Sequence, residues 1–173
     1  MSTAQNNIEY MGADIHSVED GANQYLTFML SGEEYGVDIL RVQEIRGWDS
    51  VTPIPNTPIY IKGVINIRGT IVPIIDLRER FELESIPYGP TTVVIVLKIV
   101  SGDRDRVMGI VVDAVSDTYN ITDAELKEAP DFGSAVSIDF VKGLATIDEK
   151  MLILLEVDQL LNSGELKTMD KVV

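Results

Sequence analysis

The chain has 173 residues, of which 45% are hydrophobic, and a mean hydropathy of +0.12, so it is long enough and apolar enough to form a folded core. Its 28 acidic and 14 basic side chains give a formal charge of −14, which would repel a phosphate backbone or an anionic membrane. The absence of cysteine excludes disulfides and thiol nucleophiles, and the longest apolar run, 93–100, is too short to cross a bilayer.

The first half of the chain alternates between strands and turns. Residues 1–22 are polar and acidic, without the order of a signal peptide, so we expect a flexible leader there. Alternation of apolar residues predicts strands at 24–30, at 35–39 and twice within 61–77. Residues 40–47 are predicted to form a helical turn that ends at Gly47. The three prolines of 51–60 predict an irregular connection. Residues 76–83 have the pattern of a short helix capped by Asp76.

The second half begins after a break at Ile86-Pro87-Tyr88-Gly89-Pro90. Rows of β-branched residues predict a strand at 91–100 and a returning strand at 107–115, with a turn at 101–106. The segment 123–134 is predicted to start as a short helix that Pro130 stops. Two further apolar runs, 140–147 and 150–157, predict a hairpin, and a helix is predicted to close the chain.

The most informative feature of the sequence is an internal repeat. A shift of 80 positions, from Lys62-Gly63 to Lys142-Gly143, places 61–77 on 141–157 with matching apolar positions. A second match in the same order places 35–45 on 108–118. We therefore predict two copies of one strand-rich unit of about seventy residues, a size of marginal independent stability. Closure into two small barrels, packed together with a groove between them, would hide the strand edges.

The two copies differ at the tip of the repeated hairpin. The first has Arg68-Gly69-Thr70 where the second has Asp148-Glu149-Lys150, so this hairpin does not require an arginine. Arg68 is then either an ordinary solvated turn residue or a contact with another molecule, since arginine is enriched at binding surfaces. Spacing alone leaves both interpretations open. Both copies keep the Lys-Gly pair, and Gly63 and Gly143 predict a close backbone approach or a bulge.

The residues do not combine into an active site. The only histidine, His16, lies in the leader, which excludes a histidine-assisted nucleophile in the folded body. Hydrolase, metalloprotease and Cys/His metal motifs are missing from the sequence. The carboxylate pairs, Glu33 with Glu34 and Asp76 with Glu79, are better explained by a turn and a helix cap. We expect a protein that is not an enzyme, uses neither cofactor nor metal, and works through its surfaces.

Five segments resemble the CheW family of bacterial chemotaxis coupling proteins. They are EEYGVDILRVQEIRG (33–47), NTPIYIKGVINIRGTIVPIIDLR (56–78), TVVIV (92–96), GIVVDAVSD (109–117) and MLILL (151–155). The resemblance implies an all-β fold with a few short helices, in which two intertwined, SH3-like, five-stranded barrels pack together. The expected boundaries are 1–22 for the leader, 23–163 for the domain, about 23–86 and 91–157 for its barrels, and 158–173 for a C-terminal helix or tail.

The resemblance also implies a function and its site. Members of this family are non-catalytic cytoplasmic adaptors, recruited to membrane receptor arrays, that link the cytoplasmic tip of chemoreceptors to the regulatory domain of the histidine kinase CheA. The family's receptor-binding surface carries over to Val42, Glu44, Gly63, Arg68, Val93 and Val94. Its kinase contacts carry over to Ile45 and Val51 in the first barrel and to Lys127, Asp131 and Phe132 in the second. Because adjacent strand residues face opposite ways, at most one of Val93 and Val94 can face a partner.

Two other functions compete with the adaptor. The first is a stand-alone regulatory module that senses a small ligand in the groove between the barrels, although Arg68 and Glu44 are the only polar groups expected to converge there. The second is an enzyme that uses carboxylates alone, which has the least support. A thermal-shift screen with metabolites would separate a sensor from an adaptor. Neither nucleic acid nor direct insertion into a membrane is expected.

Overall fold

The computed structural model describes residues 22–102, 104–130 and 137–163. Strands make up most of this part of the chain. They are β1 (Ala22–Leu30), β2 (Glu33–Asp38), β3 (Val42–Gly47), β4 (Ile61–Ile67), β5 (Thr70–Asp76), β6 (Val93–Ser101), β7 (Arg104–Val112), β8 (Ala114–Thr122), β9 (Val141–Ile147) and β10 (Lys150–Leu155). Two short helices, α1 (Leu77–Arg80) and α2 (Val157–Leu161), follow β5 and β10. Within these ranges, no helix has the length and apolar character needed to cross a membrane.

The strands form two five-stranded sheets. The first sheet has the order β8-β1-β2-β10-β9 and the second has the order β3-β6-β7-β5-β4. Neighbouring strands are antiparallel except for β2 with β10 and β5 with β7, which run parallel. The predicted fold class is therefore confirmed: the protein is all-β, with two five-stranded units, a few short helices and a helix after the last strand.

The duplication seen in the sequence is also visible in the topology. When β1–β5 are matched in order with β6–β10, the two sheets have the same strand order. Strands β4 and β9 begin and end 80 positions apart, at 61–67 and 141–147, which is the shift that aligns the two sequences. Each copy also ends with a short helix directly after its last strand. The described part of the chain thus contains two copies of one structural unit.

The two copies are interleaved. The first sheet combines β1 and β2 of the first copy with β8, β9 and β10 of the second, and the second sheet combines β3, β4 and β5 with β6 and β7. The barrel ranges expected from the sequence, 23–86 and 91–157, therefore do not coincide with the two sheets. The physical reason is that the first two strands of each copy form a hairpin whose outer edges are unpaired, and strands of the other copy cover those edges.

Three clusters of buried side chains stabilise this arrangement. The central core lies between the sheets and includes Phe28, Ile75, Leu97, Ile110 and Leu160. The second cluster belongs to the second sheet and consists of Ile67, Val72, Ile74, Val94, Val96 and Val111. The third belongs to the first sheet and consists of Tyr25, Ile121, Ala145, Leu152 and Leu154. Each sheet thus packs one face on the shared core and encloses its own cluster with the other, as a small barrel does.

Among the ion pairs between the copies, two are bidentate arginine–aspartate pairs. Arg41, just before β3, donates two hydrogen bonds of 2.7 Å to Asp158 of α2. Arg78 of α1 donates two hydrogen bonds of 2.8 Å to Asp113, which lies between β7 and β8. In both pairs the arginine belongs to the first copy and the aspartate to the second. These charge-assisted, two-point contacts hold the interleaved strands in register.

Two local helical predictions are wrong. Residues 40–47 do not form a helical turn ending at Gly47, because a 3-10 turn occupies Ile39–Arg41 and β3 then pairs along the apolar strand β6. In 123–134, the described part contains a 3-10 turn at Asp123–Glu125 and then extended chain, because Lys127 forms a bridge with Leu144. In both places pairing with a distant strand overrides a local helical tendency.

Other local predictions are confirmed in part. The short helix predicted at 76–83 is present as α1, and the Asp76 carboxylate caps it by accepting a hydrogen bond from the Glu79 amide. The closing helix is present as α2, while 164–173 lies outside the described residues. Residues 1–21, most of the expected leader, lie outside them as well.

Candidate partner-binding site

The second sheet is open between its two edge strands, β3 and β4, and we call this opening the seam. The chain that follows β3 crosses the seam, where Thr52 and Val64 exchange two backbone hydrogen bonds of 2.9 Å. Beyond the end of β4, Arg68 Nη2 lies 2.8 Å from Glu44 Oε1 of β3. The seam is therefore bridged by backbone atoms near the middle of β4 and by an ion pair at its tip.

The crossing at Thr52 explains the glycine that both copies keep. Gly63 has a φ of +147°, and a Cβ added there would lie 2.2 Å from the Thr52 carbonyl oxygen. The equivalent Gly143 lies under Lys127, whose carbonyl oxygen would be 3.0 Å from an added Cβ. The close backbone approach predicted from the sequence is thus confirmed at both positions. In the first copy it is so close that no other residue fits without displacement of the crossing segment.

The tip between β4 and β5 presents Arg68 to solvent. Arg68 and Gly69 have φ values of 50° and 88°, and the equivalent Asp148 and Glu149 have values of 52° and 68°. Both tips therefore have the same left-handed, two-residue turn, in which asparagine and glycine are the favoured residues. The Arg68 side chain is 77% exposed. The turn does not call for an arginine, and the guanidinium is not buried by its own chain.

Two arginines flank one carboxylate at the seam. Glu44, whose side chain is 24% exposed, pairs with Arg68 through Oε1, and its Oε2 lies 3.5 Å from Arg46 Nη1. The three side chains carry a net charge of +1 in a chain whose formal charge is −14. The two guanidinium groups at this edge of the second sheet can donate to carboxylates and carbonyl oxygens of another molecule.

Two cavities open along the seam, on either side of Glu44. The cavity beside Arg68 has a volume of about 270 Å³, and its lining includes Glu44, Ile67, Val72 and Val96. The cavity beside Arg46 has a volume of about 280 Å³, and its lining includes Trp48, Val51, Asn66 and Val94. Each combines an apolar floor from the second cluster with polar groups at its rim, an arrangement that suits side chains of a protein partner.

The six residues expected to bind a receptor fall into three groups. Glu44 and Arg68 touch each other at the rim of the seam. Val94, which is 3% exposed, and Gly63 are buried beneath it. Val42 and Val93 are half-buried against the central core, so Val93 and Val94 do face opposite sides of β6. Of the six, only Glu44 and Arg68 have polar side chains, and these lie at the rim of the seam. Gly63 and Val94 lie beneath the seam, whereas Val42 and Val93 pack against the central core.

The residues expected to bind a kinase lie at both sheets. Ile45 is 44% exposed and lies on β3 beside Glu44, facing the opposite side. Val51 packs half-buried against the second cluster, in the segment that crosses the seam. Lys127 is exposed at the corresponding crossing of the first sheet. Asp131 and Phe132 lie outside the described residues.

Sequence reasoning missed three residues beside this site. Arg46 follows Glu44 at an interval of two, and strand alternation would have placed both on the same face. Trp48 lines the larger cavity, and its ring meets that of Tyr88 edge-on, with centroids 4.5 Å apart. The sequence contains no signal for that contact, because the two aromatic residues lie in separate irregular segments.

The buried carboxylates of the described residues have structural partners. Asp76, which is 5% exposed, caps α1 and accepts a hydrogen bond from the Tyr88 hydroxyl. Glu34, which is 8% exposed, accepts a hydrogen bond of 2.8 Å from Thr27 Oγ1. In the part of the chain that the structure describes, no group of three or more His, Cys, Asp or Glu residues is arranged to hold a metal ion.

Comparison with known proteins finds one family model and several similar chains. The family model of the CheW-like domain matches residues 24–165. A protein named "Chemotaxis protein CheW" from Klebsiella aerogenes is 48% identical over 89% of this chain and 90% of its own length. "Probable chemotaxis protein CheW" from Rhizobium etli is 36% identical over 90% of this chain and 97% of its own length. The crystal structure of the scaffolding protein TtCheW from Thermoanaerobacter tengcongensis has a TM-score of 0.73 and 32% identity, and the match covers 83% of this chain and 90% of that one.

Proposed function

Since the chain belongs to the family of CheW-like domains, we propose that it is a non-enzymatic scaffold in bacterial chemotaxis. Its specific role is to couple the cytoplasmic tips of chemoreceptors to the histidine kinase CheA. It acts in the cytoplasm and is recruited to receptor arrays at the membrane. The relatives named for chemotaxis and scaffolding support this proposal, as does a surface built for contact with other proteins.

The observation that carries the proposal is the exposed guanidinium of Arg68. Its left-handed backbone position favours asparagine or glycine over arginine, and the second copy has a different residue there, so the fold alone does not account for it. Glu44 holds the side chain at the rim of the seam, with 2.8 Å between the two groups. A guanidinium has five N–H donors, so Arg68 can keep this pairing and still donate to polar groups of a partner.

We propose that a helical receptor tip lies along the seam, as a helix does in a groove. Apolar side chains of the receptor would enter the cavity beside Arg68, whose lining includes Val72, Val96 and Val107. Arg68 would hydrogen-bond to polar groups of the tip. Val42, Gly63, Val93 and Val94 would influence binding through the shape of the sheet.

The proposed kinase contacts use both sheets. On the second sheet they involve Ile45 and Val51, and on the first they involve Lys127. The proposal also includes Asp131 and Phe132, as the family resemblance implies. The duplicated fold supports two such surfaces, because the chain crosses an edge strand of each sheet at an equivalent point. The crossing is at Thr52, next to Val51, in the second sheet and at Lys127 in the first. A scaffold with two kinase contacts can link kinases into an extended array.

The alternative role as a small-molecule sensor has weaker support. The two cavities at the seam have volumes of about 270 and 280 Å³, and both open to the surface. Pockets that enclose small molecules usually have volumes of about 300–1,000 Å³ and bury most of the ligand. Open cavities of this size are better matched to single side chains of a protein partner.

Replacement of Arg68 by asparagine tests the receptor contact. Asparagine suits the left-handed position, so Arg68→Asn should keep the hairpin folded while removing the guanidinium. We expect the affinity for a cytoplasmic receptor fragment to fall about tenfold or more, as is typical for an arginine at the centre of an interface. Isothermal titration calorimetry would measure the affinity, and reconstituted receptor, kinase and adaptor would report kinase control.

The duplicated hairpin provides the control. Asp148→Asn makes the same replacement at the equivalent backbone position, where φ is 52° instead of 50°, and it should leave receptor affinity unchanged. If Arg68→Asn bound the receptor as tightly as wild type, the seam would not be the receptor site. If the wild-type chain did not alter kinase control in the reconstituted mixture, the adaptor function would be wrong.

A further inference from the structure

The connection between the two copies is held at several points by side-chain hydrogen bonds to α1 and to the turn after β7. The Glu84 carbonyl accepts a hydrogen bond of 2.6 Å from Arg78 Nη1. Ser85 Oγ donates to Glu79 Oε2 over 3.0 Å, and Thr91 Oγ1 donates to the Asp113 carbonyl over 3.0 Å. A connection that only joined two units would not need these side-chain contacts. We call residues 84–92 the strap.

Tyr88 lies at the centre of the strap, and its hydroxyl donates a hydrogen bond to Asp76 Oδ2. The other oxygen of Asp76 caps α1 by accepting from the Glu79 amide at 3.1 Å. Burial raises the pKa of Tyr88, and the hydrogen bond and negative charge of Asp76 raise it further. The hydroxyl therefore stays protonated and donates to Asp76 at neutral pH. This hydrogen bond fixes the hydroxyl of Tyr88, while its ring packs against the second cluster.

The apolar end of Tyr88 supports Trp48. The two rings meet edge-on, with centroids 4.5 Å apart and planes inclined by 65°, a geometry in which aromatic pairs attract each other. The Trp48 amide also donates to the Thr92 carbonyl over 3.0 Å. The strap thus holds Trp48 through its ring and through its backbone, at the residue where the chain leaves β3.

Trp48 begins the short segment that crosses the seam. Residues 48–52 line one side of the cavity of about 280 Å³, and Thr52 is fixed at the far end by its two hydrogen bonds to Val64. Asp49 and Ser50 are exposed between these fixed points, and Val51 packs against the second cluster. The position of Trp48 therefore determines how Val51 and the cavity are presented.

We propose that Tyr88 is a positioning residue that, through Trp48, sets the conformation of residues 48–52 for the contact with the kinase. This inference rests on the proposed function, which puts Val51 at the kinase surface. On this proposal the strap contributes to kinase binding although it does not itself contact the kinase. If Tyr88 served only to satisfy Asp76, its replacement would lower stability and leave the affinity of the folded protein unchanged.

The test uses Tyr88→Phe in the full chain, which keeps the ring and removes the hydroxyl. Trp48 is the only tryptophan, so its emission maximum and its quenching by acrylamide report on this position alone. We expect Trp48 to become more accessible to acrylamide. We also expect the affinity for the kinase regulatory domain to fall on the order of tenfold, the scale of one lost hydrogen bond to a charged group. Receptor affinity should change less than about twofold, because the apolar side chains of the receptor are proposed to enter the cavity beside Arg68, whereas residues 48–52 line the other cavity.

Two further variants complete the test. Tyr119→Phe removes a phenolic hydroxyl from the first sheet and should change neither tryptophan quenching nor kinase affinity. Trp48→Phe keeps an aromatic ring but removes the indole, and it should weaken kinase binding even if Tyr88→Phe fails to fold. Far-ultraviolet circular dichroism and urea unfolding would identify the folded variants.

The outcomes separate this inference from the function on which it rests. If wild type binds the kinase domain and both Tyr88→Phe and Trp48→Phe bind it equally well, the positioning role is wrong and the adaptor function stands. If wild type does not bind the kinase domain, the proposed function is wrong, and this inference with it. An equal loss of kinase and receptor affinity in Tyr88→Phe would indicate general loosening and would also contradict the proposal.

Discussion

At the scale of single residues, the two copies of the repeat separate residues that the fold requires from residues that serve another purpose. Gly63 and Gly143 are kept because a second segment of chain crosses directly over each of them, at Thr52 and at Lys127. Arg68 and Asp148 differ although their backbones have nearly the same left-handed conformation. Backbone geometry therefore explains the two glycines. It does not explain Arg68, whose side chain pairs with Glu44 and is proposed to contact the receptor.

Replacement of Gly63 by alanine should destabilise the protein strongly. Its Cβ would lie 2.2 Å from the Thr52 oxygen at a backbone φ of +147°. Strain of this kind and displacement of packed atoms each cost about 1–3 kcal/mol, so we expect a loss of ~2–4 kcal/mol in the free energy of unfolding, measured by urea titration. Gly47→Ala is the control, because no atom lies within 4 Å of a Cβ built there. Equal stability of the two variants would contradict a tight crossing at Thr52.

At the scale of secondary-structure elements, the two bidentate ion pairs between the copies connect each short helix to a turn beside a strand of the other copy. Burial acts to raise the pKa of Asp158, but the Arg41 hydrogen bonds, the Val100 amide and the guanidinium charge outweigh it and lower the pKa below its ordinary value. The pKa of Asp113 is lowered in the same way by Arg78 and the Ser31 amide, against the effect of burial. A carboxylate with a lowered pKa stabilises the fold above its unfolded-state pKa, and this contribution is lost as the pH falls through the folded-state pKa.

Replacement of Asp158 by asparagine should therefore lower stability in a pH-dependent way. Loss of a hydrogen-bonded charged partner should cost about 1–3 kcal/mol at pH 7. The difference from wild type should shrink as the pH falls below about 4, because Asp158 of wild type then becomes protonated and loses the same interaction. Urea unfolding of both proteins between pH 7 and pH 3 measures this difference. A difference that stayed constant over this range would contradict the charge-based contribution.

At the scale of the whole molecule, interleaving makes the two sheets depend on each other. The first copy by itself can pair β1 with β2 and β4 with β5, and its β3 pairs with a strand of the second copy. Isolated two-stranded hairpins are marginal in water, so half of the chain lacks the means to complete either sheet. The two sheets should therefore unfold together, in one transition.

Fragments divided at the strap test this dependence. We expect 1–89 and 90–173 to be largely unfolded when separate, with poorly dispersed amide signals in nuclear magnetic resonance spectra. Mixed together, they should form a complex with the spectrum of the intact chain, because each supplies the strands that cover the open edges of the other. The control is the full chain with a protease site at the same point, cut after folding. Cooperative unfolding of the first fragment alone would contradict the interleaved arrangement as the source of stability.

A large part of the fold was predictable because it is encoded locally. Apolar alternation located most strands, the shift of 80 positions indicated the duplication, and Asp76 marked the start of α1. The failures at 40–47 and 123–134 share one cause, since a short segment with weak helical tendency became extended by pairing with a distant strand. At the site, the family resemblance predicted Arg68 and Glu44 as binding residues, whereas nothing in the sequence predicted the contact of Tyr88 with Trp48.

The sequence by itself determined the repeat, the hairpin tips and the glycine that both copies keep, because turn geometry and side-chain period depend on neighbouring residues. Only the tertiary structure decided which copy supplies each strand of a sheet, and that the strap reaches Trp48 through Tyr88. The physical reason is that any two strands can form the same backbone hydrogen bonds. Which strands become neighbours therefore depends on how the whole chain buries its apolar side chains and covers its strand edges.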